Sequence, residues 1–187
     1  VESEEEAFAF LEEMRKKYWD ATHNCFAFVA GERREWVRAA DDGEPSGTAG
    51  RPMLDVLLGE DLYNTAVVVT RYLGGTLLGT GGLVRAYSRA VQEALKSCVI
   101  LEKRHGVRLE IRGDYTDLGK IQYILGQRKI PLLGSEYTDR VLLEVILPKA
   151  EERDLLKALT EATGGKVVLE EKGEPYYGII DGEVKLF

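Results

Sequence analysis

Residues 65–84 read Thr65-Ala66-Val67-Val68-Val69-Thr70, then Arg71-Tyr72-Leu73-Gly74-Gly75-Thr76-Leu77-Leu78-Gly79-Thr80-Gly81-Gly82, then Leu83-Val84. The first six residues are the strongest strand signal in the chain, and their apolar run predicts a strand buried on both faces. Leu83, Val84, Tyr87, Val91, Ala94 and Leu95 return at helical spacing, which predicts a helix over 83–95 with that stripe inward. Five of the nine residues from Gly74 to Gly82 are glycine, so a glycine-rich loop joins the strand to the helix.

Toward the N-terminus, 51–58 reads as a short helix with Pro52 in its first turn. Before it, Asp41-Asp42-Gly43-Glu44-Pro45-Ser46-Gly47-Thr48-Ala49-Gly50 is a polar loop. Residues 24–30 and 36–40 read as two strands turning at Gly31. Residues 3–18 form an amphipathic helix started by a Ser3/Glu6 capping box, with Ala7, Leu11, Met14 and Tyr18 on one face. Toward the C-terminus the pattern changes at Val107. A strand at 107–112 is followed by a helix at 116–127, strands at 131–138 and 141–147, a helix at 151–163 and a strand at 166–171. That order, β-α-β-β-α-β, is the ferredoxin-like arrangement. The chain therefore reads as α+β in two domains, 1–104 and 105–187. His105 falls in the linker, and the Tyr176-Tyr177 pair reads as edge-strand packing rather than as a stacking platform.

A length of 187 residues suffices for two domains of about 90 residues each. With 44% hydrophobic and 30% charged residues, a disordered or fibrous chain is excluded. Lys and Arg number 25 against 32 Asp and Glu, a net charge of −7 divided evenly between the halves. Neither domain is a nucleic-acid binder by bulk charge, so any basic surface is local. Cys25 and Cys98 make no disulfide framework, and the histidines and cysteines have no metal-ligand spacing. No metal or cofactor is predicted, and a reducing cytoplasm is the default. No apolar run approaches the roughly 18 residues of a membrane span. The start is rich in glutamate where a signal peptide would be basic, and Val1 in place of Met leaves room for a missing segment. Asn24, Asn64, Gln92, Gln122 and Gln127 are the only side-chain amides, which resembles a thermophile's composition.

The glycine loop invites comparison with phosphate-binding loops. Gly74 through Gly79 has P-loop spacing, but Thr80 and Gly81 stand where Lys and Ser or Thr are required. A dinucleotide fingerprint fails as well, because Val84 stands at its third glycine. Two readings stay open: glycines that serve tight turns and close packing, or a backbone nest for an anion. Arg71 before the loop and Arg85 and Arg89 after it favour a phosphate backbone over phosphoryl transfer, which needs metal ligands and a nucleophile. In the loop 41–50, Asp41, Asp42 and Glu44 read either as a solvated turn or as carboxylates for an acid/base pair or a cation. Consecutive Asp41 and Asp42 would point to opposite sides of an extended chain. Ser46 and Thr48 lack an obvious base. His23 and Cys25, two apart, read as a conceivable catalytic pair or as a buried cysteine beside a hydrogen-bonded histidine.

Three segments in order carry a resemblance: Ala21-Thr22-His23-Asn24-Cys25-Phe26-Ala27-Phe28, residues 41–52 ending in Arg51-Pro52, and residues 68–87 around the glycine loop. Together they resemble the IMPACT family, and within it the bacterial YigZ-like proteins, over essentially the whole chain. Leu73 departs from an expected aromatic. The resemblance implies a first domain folded like ribosomal protein S5 domain 2, also found in domain IV of elongation factor G. It implies a ferredoxin-like second domain similar to domain V of that factor, and that the segment missing before Val1 carries the edge strand the family has ahead of its first helix. Eukaryotic relatives regulate translation under amino-acid stress through protein partners. A proline-dipeptidase label carried by some bacterial members finds no ligand set here.

The leading expectation is thus a non-catalytic module linked to translation, with RNA, the ribosome or a protein as partner, no membrane, and an oligomeric state left open. Arg71, Gly74, Gly75, Thr76, Gly79, Thr80, Gly81, Gly82 and Arg85 form the expected phosphate or partner site. His23, Asp41, Asp42, Glu44, Ser46, Thr48 and Arg51 line the adjoining cleft. The alternatives are a small-molecule enzyme holding a phosphorylated ligand on the same loop, and a protein-interaction adaptor with an exposed apolar patch.

Overall fold

In the computed structural model, which describes residues 1–187 throughout, Ser3 starts the first helix. Its hydroxyl accepts a hydrogen bond from Glu6 N at 3.1 Å. The other half of the expected capping box is displaced by one residue, since the Glu6 carboxylate takes Glu2 N at 2.8 Å. Helix α1 (Glu4–Lys17) is acidic in its first turn and basic in its last, which suits its dipole. Contacts divide the chain into two units, Val1–Val99 and Ile100–Phe187.

The first unit is built on β1 (His23–Ala30), the centre of an antiparallel sheet between β2 (Trp36–Ala40) and β3 (Thr65–Arg71). Alternation along β1 sends Cys25, Ala27 and Val29 to one face, against α2 (Gly50–Gly59) and α3 (Gly79–Lys96). Phe26, Phe28 and Ala30 go to the other face, against Ala7 and Leu11 of α1. Burial of a side chain such as Phe28 contributes roughly 1.5–3 kcal/mol. The strand buried on both faces is therefore β1, where the expectation was β3. β3 is half-buried along its whole length because it pairs on one side only, with β1.

Helix α3 begins at Gly79, not Leu83, so Gly79, Thr80, Gly81 and Gly82 form its first turn and the loop proper ends at Leu78. Gly79 enters the helix at φ 68°, a conformation that favours glycine. Leu83, Tyr87 and Val91 are its buried residues. Val84 and Ala94, expected on that stripe, are exposed, because the helix meets the sheet along a strip one residue wide per turn.

The second unit has the ferredoxin-like topology. Strands β4 (Arg104–Gly113), β5 (Leu132–Tyr137), β6 (Val141–Pro148) and β7 (Val168–Gly173) pair antiparallel in the order β5-β6-β4-β7. Helices α4 (Tyr115–Gln127) and α5 (Glu152–Ala162) cover the apolar side, where Val107, Leu109 and Ile111 meet Ile121, Leu125, Leu155 and Leu159. The alternate residues of β4 form ion pairs: Arg108 with Glu144, and Arg112 with Glu110 and Glu170. A C-terminal hairpin, β8 (Tyr176–Ile180) and β9 (Glu183–Leu186), extends the sheet beyond the expected elements. It pairs with the start of β4, so His105 is a strand residue opposite Tyr176 and not a linker. Tyr177 packs over Gly106, where a Cβ would lie 2.6 Å from its ring.

Candidate functional site

The loop after β2 is held by its own carboxylates. Asp41 accepts hydrogen bonds from the backbone N–H groups of Gly47 (2.8 Å), Ala49 (3.0 Å) and Gly50 (2.8 Å). It thereby caps the start of α2, whose N-cap residue Ala49 has no side chain able to do so. Asp42 has φ 43°, so the chain turns here, and its carboxylate takes Asn24 N at 2.6 Å. The extended-chain expectation for this pair fails for that reason. Both carboxylates serve the backbone. Thr48 donates to Pro45 O at 2.6 Å, while Ser46 is exposed. Gly50 lies so close to β2 that a Cβ would come within 2.6 Å of Ala40 N.

Glu44 is the centre of what these elements assemble. Its side chain is only 3% exposed. Oε1 accepts from Arg71 Nη1 at 2.5 Å and from the Tyr87 hydroxyl at 2.7 Å. His23 Nε2 stands 3.8 Å from Oε2, and Nδ1 lies 2.8 Å from the Asp42 carbonyl. A carbonyl only accepts, so Nδ1 carries a proton. Cys25 donates to Asp41 O at 2.9 Å and lies 3.4 Å from the Tyr87 oxygen. Behind them, Thr70 donates to the Asn24 side chain at 2.8 Å. Strands β1 and β3, the loop and α3 thus converge on one carboxylate.

The electrostatics follow from these partners. Burial alone would raise Glu44, but hydrogen bonds from Arg71 and Tyr87, with the charges of His23 and Arg71, hold it below the ordinary carboxylate value. Burial likewise opposes ionisation of Asp41, and the N–H groups of Gly47, Gly50 and Ala49 outweigh it. Burial pushes the Cys25 thiol up to about 11; the Tyr87 hydrogen bond opposes this, and Glu44, Asp42 and Asp41 add to it. Tyr87 is raised for the same first reason. Cys25 is fully buried and its thiol donates to the Asp41 carbonyl, which favours the packed-cysteine reading over a catalytic Cys–His pair.

The glycine loop presents a different surface. Gly74, Gly75, Thr76, Gly79, Thr80 and Gly81 are exposed. A Cβ on Gly74 or Gly75 would meet nothing within 4 Å, and neither sits in the left-handed region. Packing therefore does not require glycine at these two positions. Leu78 caps α3 without a side-chain hydrogen bond, leaving first-turn N–H groups open. Arg85 is exposed and forms no ion pair, and its Nη1 lies 3.5 Å from a Cβ placed on Gly81. Its guanidinium rests against that first turn. Arg71, by contrast, is committed to Glu44. Arg51 does not join the cluster and pairs with Asp55 along α2 at 2.7 Å. An apolar pocket of about 220 Å³ lies between loop and cluster, lined by Val69, Thr70, Arg71, Leu78, Leu83, Ala86 and Tyr87.

Two family descriptions match. Impact N-terminal domain covers residues 1–95, and a domain of unknown function, DUF1949, covers residues 111–166. Two bacterial proteins are similar along most of both chains. IMPACT family member YvyE of Bacillus subtilis strain 168 is 42% identical over 177 residues, 95% of this chain and 81% of that one. This chain belongs to the IMPACT family. IMPACT family member YigZ of Escherichia coli strain K12 is 40% identical over 167 residues, 88% of this family member and 82% of YigZ. A solved structure described as a crystal structure of a hypothetical protein matches with a TM-score of 0.54 at 38% identity. It covers 90% of this IMPACT family chain and 83% of its own.

Within this family member, sequence reasoning singled out most of the Glu44 cluster but read Tyr87 only as core. The signal was present: a tyrosine inside an apolar helical stripe needs a partner for its hydroxyl when buried. Asn24 and Thr70, adjacent on β1 and β3, carried no such signal. No helix of the structure is long and apolar enough to cross a membrane.

Proposed function

We propose that this IMPACT family chain is a non-catalytic, cytoplasmic module linked to translation, which holds RNA phosphates, on free RNA or on the ribosome, at the glycine loop and the first turn of α3. The observation that carries this reading is Arg85. It is exposed, unpaired, and rests against a helix start whose N–H groups no side chain caps. Fixed cations and open N–H groups at a helix N-terminus attract phosphate. Contacts of this kind orient a nucleic acid without reading its sequence.

The carboxylates support binding over catalysis. Asp41 and Asp42 accept from the backbone, and Glu44 is taken by Arg71 and Tyr87, so no carboxylate among the three stands free beside the loop. A general acid or base must reach its ligand. The second unit supports placing the contact in the first, because Arg108 and Arg112 on its open sheet face are paired with glutamates.

The test is titration of labelled single-stranded RNA and of 30S ribosomal subunits at two salt concentrations, with wild type and Arg85→Ala. Binding that weakens with salt is expected, and the variant lowers the log–log slope by about one. Arg71→Ala is a poor probe, since it strips Glu44 of its partner. Binding indifferent to salt, or no binding, overturns the reading and turns the search to a protein partner.

A further inference from the structure

Trp19 is 82% exposed, in a chain with only two tryptophans. It lies in the turn after α1, and that turn runs alongside the start of the glycine loop. Thr22 N donates to Arg71 O at 3.0 Å, and Leu73 N donates to the Thr22 hydroxyl at 3.1 Å. The Tyr72 hydroxyl donates at 2.9 Å to Asp20, the residue after Trp19, which tethers a second ring, itself 54% exposed, to the same turn. The hydrogen bond also occupies the one carboxylate in this turn. On the helix side stand Lys16 and Lys17, exposed and in no ion pair, with Lys17 Nζ 5.3 Å from the centre of the Tyr18 ring.

Exposed indole is costly to leave in water, and a tyrosine tethered to the same turn has already lost the freedom that binding would remove. Flat aromatic faces flanked by unpaired lysines complement unstacked bases joined by phosphates. A duplex hides its base faces and offers such rings nothing to stack on. We infer that the ligand of the first unit is single-stranded RNA, with bases stacked on Trp19 and Tyr72 and phosphates running between Lys16, Lys17 and Arg85. This inference rests on the RNA reading above and adds the form of RNA and the two stacking residues.

Trp36 is partly buried against the cluster that holds Phe28, so the conservative Trp36→Phe leaves Trp19 as sole indole reporter. The experiment titrates this variant of the whole 187-residue chain with oligoadenylate, and with oligoadenylate annealed to oligouridylate, following indole fluorescence together with anisotropy of the labelled RNA. Quenching by the single strand and none by the duplex is expected. Trp19→Ala, at an exposed site that leaves the fold intact, weakens single-strand binding about tenfold, and Trp19→Phe restores most of it. If Arg85-dependent binding occurs while Trp19 stays unquenched and Trp19→Ala binds as wild type, the stacking inference falls and the phosphate reading survives. Equal binding of duplex and single strand overturns the stacking inference in the same way. If neither RNA binds, the stacking inference falls, and the titration with 30S subunits decides the phosphate reading.

Discussion

Arg71 closes β3 on Glu44: its Nη1 lies 2.5 Å from a carboxylate that sits 27 residues earlier in the chain and is almost wholly buried. The pair ties the loop after β2 to the edge of the sheet, and Tyr87 adds α3 to the same oxygen. Arg71, which the sequence offered to a ligand, is paired with Glu44 here, while Arg85 is exposed and in no ion pair.

Arg71→Ala is expected to destabilise the first unit by about 3 kcal/mol, because it leaves Glu44 buried without its cation. Arg71→Ala with Glu44→Gln loses less than the single change, since the uncompensated charge is gone. Urea unfolding of the two variants and Glu44→Gln, completed as a double-mutant cycle, measures the coupling.

The acid limb of stability follows from Asp41 and Glu44, both held below their ordinary values. A depressed carboxylate contributes stability that is complete above its unfolded value and is lost as pH falls through the folded one. Unfolding is therefore expected to ease below about pH 4. Glu44→Gln, less stable near neutrality, has a flatter profile through that range. Thermal melts across pH measure both curves; parallel curves would sink the assignment.

Cys25 and Cys98 part company chemically. Burial holds the Cys25 thiol at about 11, whereas Cys98 is exposed. One thiol reacts with a disulfide reagent at neutral pH in the native protein, and two react in denaturant. Mass mapping identifies the fast one as Cys98; rapid labelling of Cys25 contradicts the packing described here.

Gly50→Ala places a methyl group against the Ala40 backbone at 2.6 to 2.8 Å. The start of α2 must move, and with it the Gly50 N–H that Asp41 accepts. A loss of about 2 kcal/mol is expected, within the range for overpacking plus a disturbed cap. Gly74→Ala, where a Cβ meets nothing, is close to neutral. Denaturant midpoints of the two variants separate a glycine required by packing from one that is not.

The features legible in the linear chain are local ones. The Ser3 cap, the apolar stripe Leu83-Tyr87-Val91 and the alternation in β4 each depend on residues a few positions apart, so periodicity and capping chemistry expose them. The order β-α-β-β-α-β carried the ferredoxin-like topology because chain order constrains how such elements pair. Three-dimensional packing was needed to establish which strand is central, that Gly79 to Gly82 are helical, and that a hairpin at Tyr176–Ile180 and Glu183–Leu186 reaches β4. Packing also separates two arginines that look alike on paper: Arg71 lies opposite His23 across the β1–β3 ladder and meets Glu44, while Arg85 faces outward on α3. Partners 27 and 43 residues apart meet through sheet register and helix docking, and no short window of sequence contains both sides of such a contact.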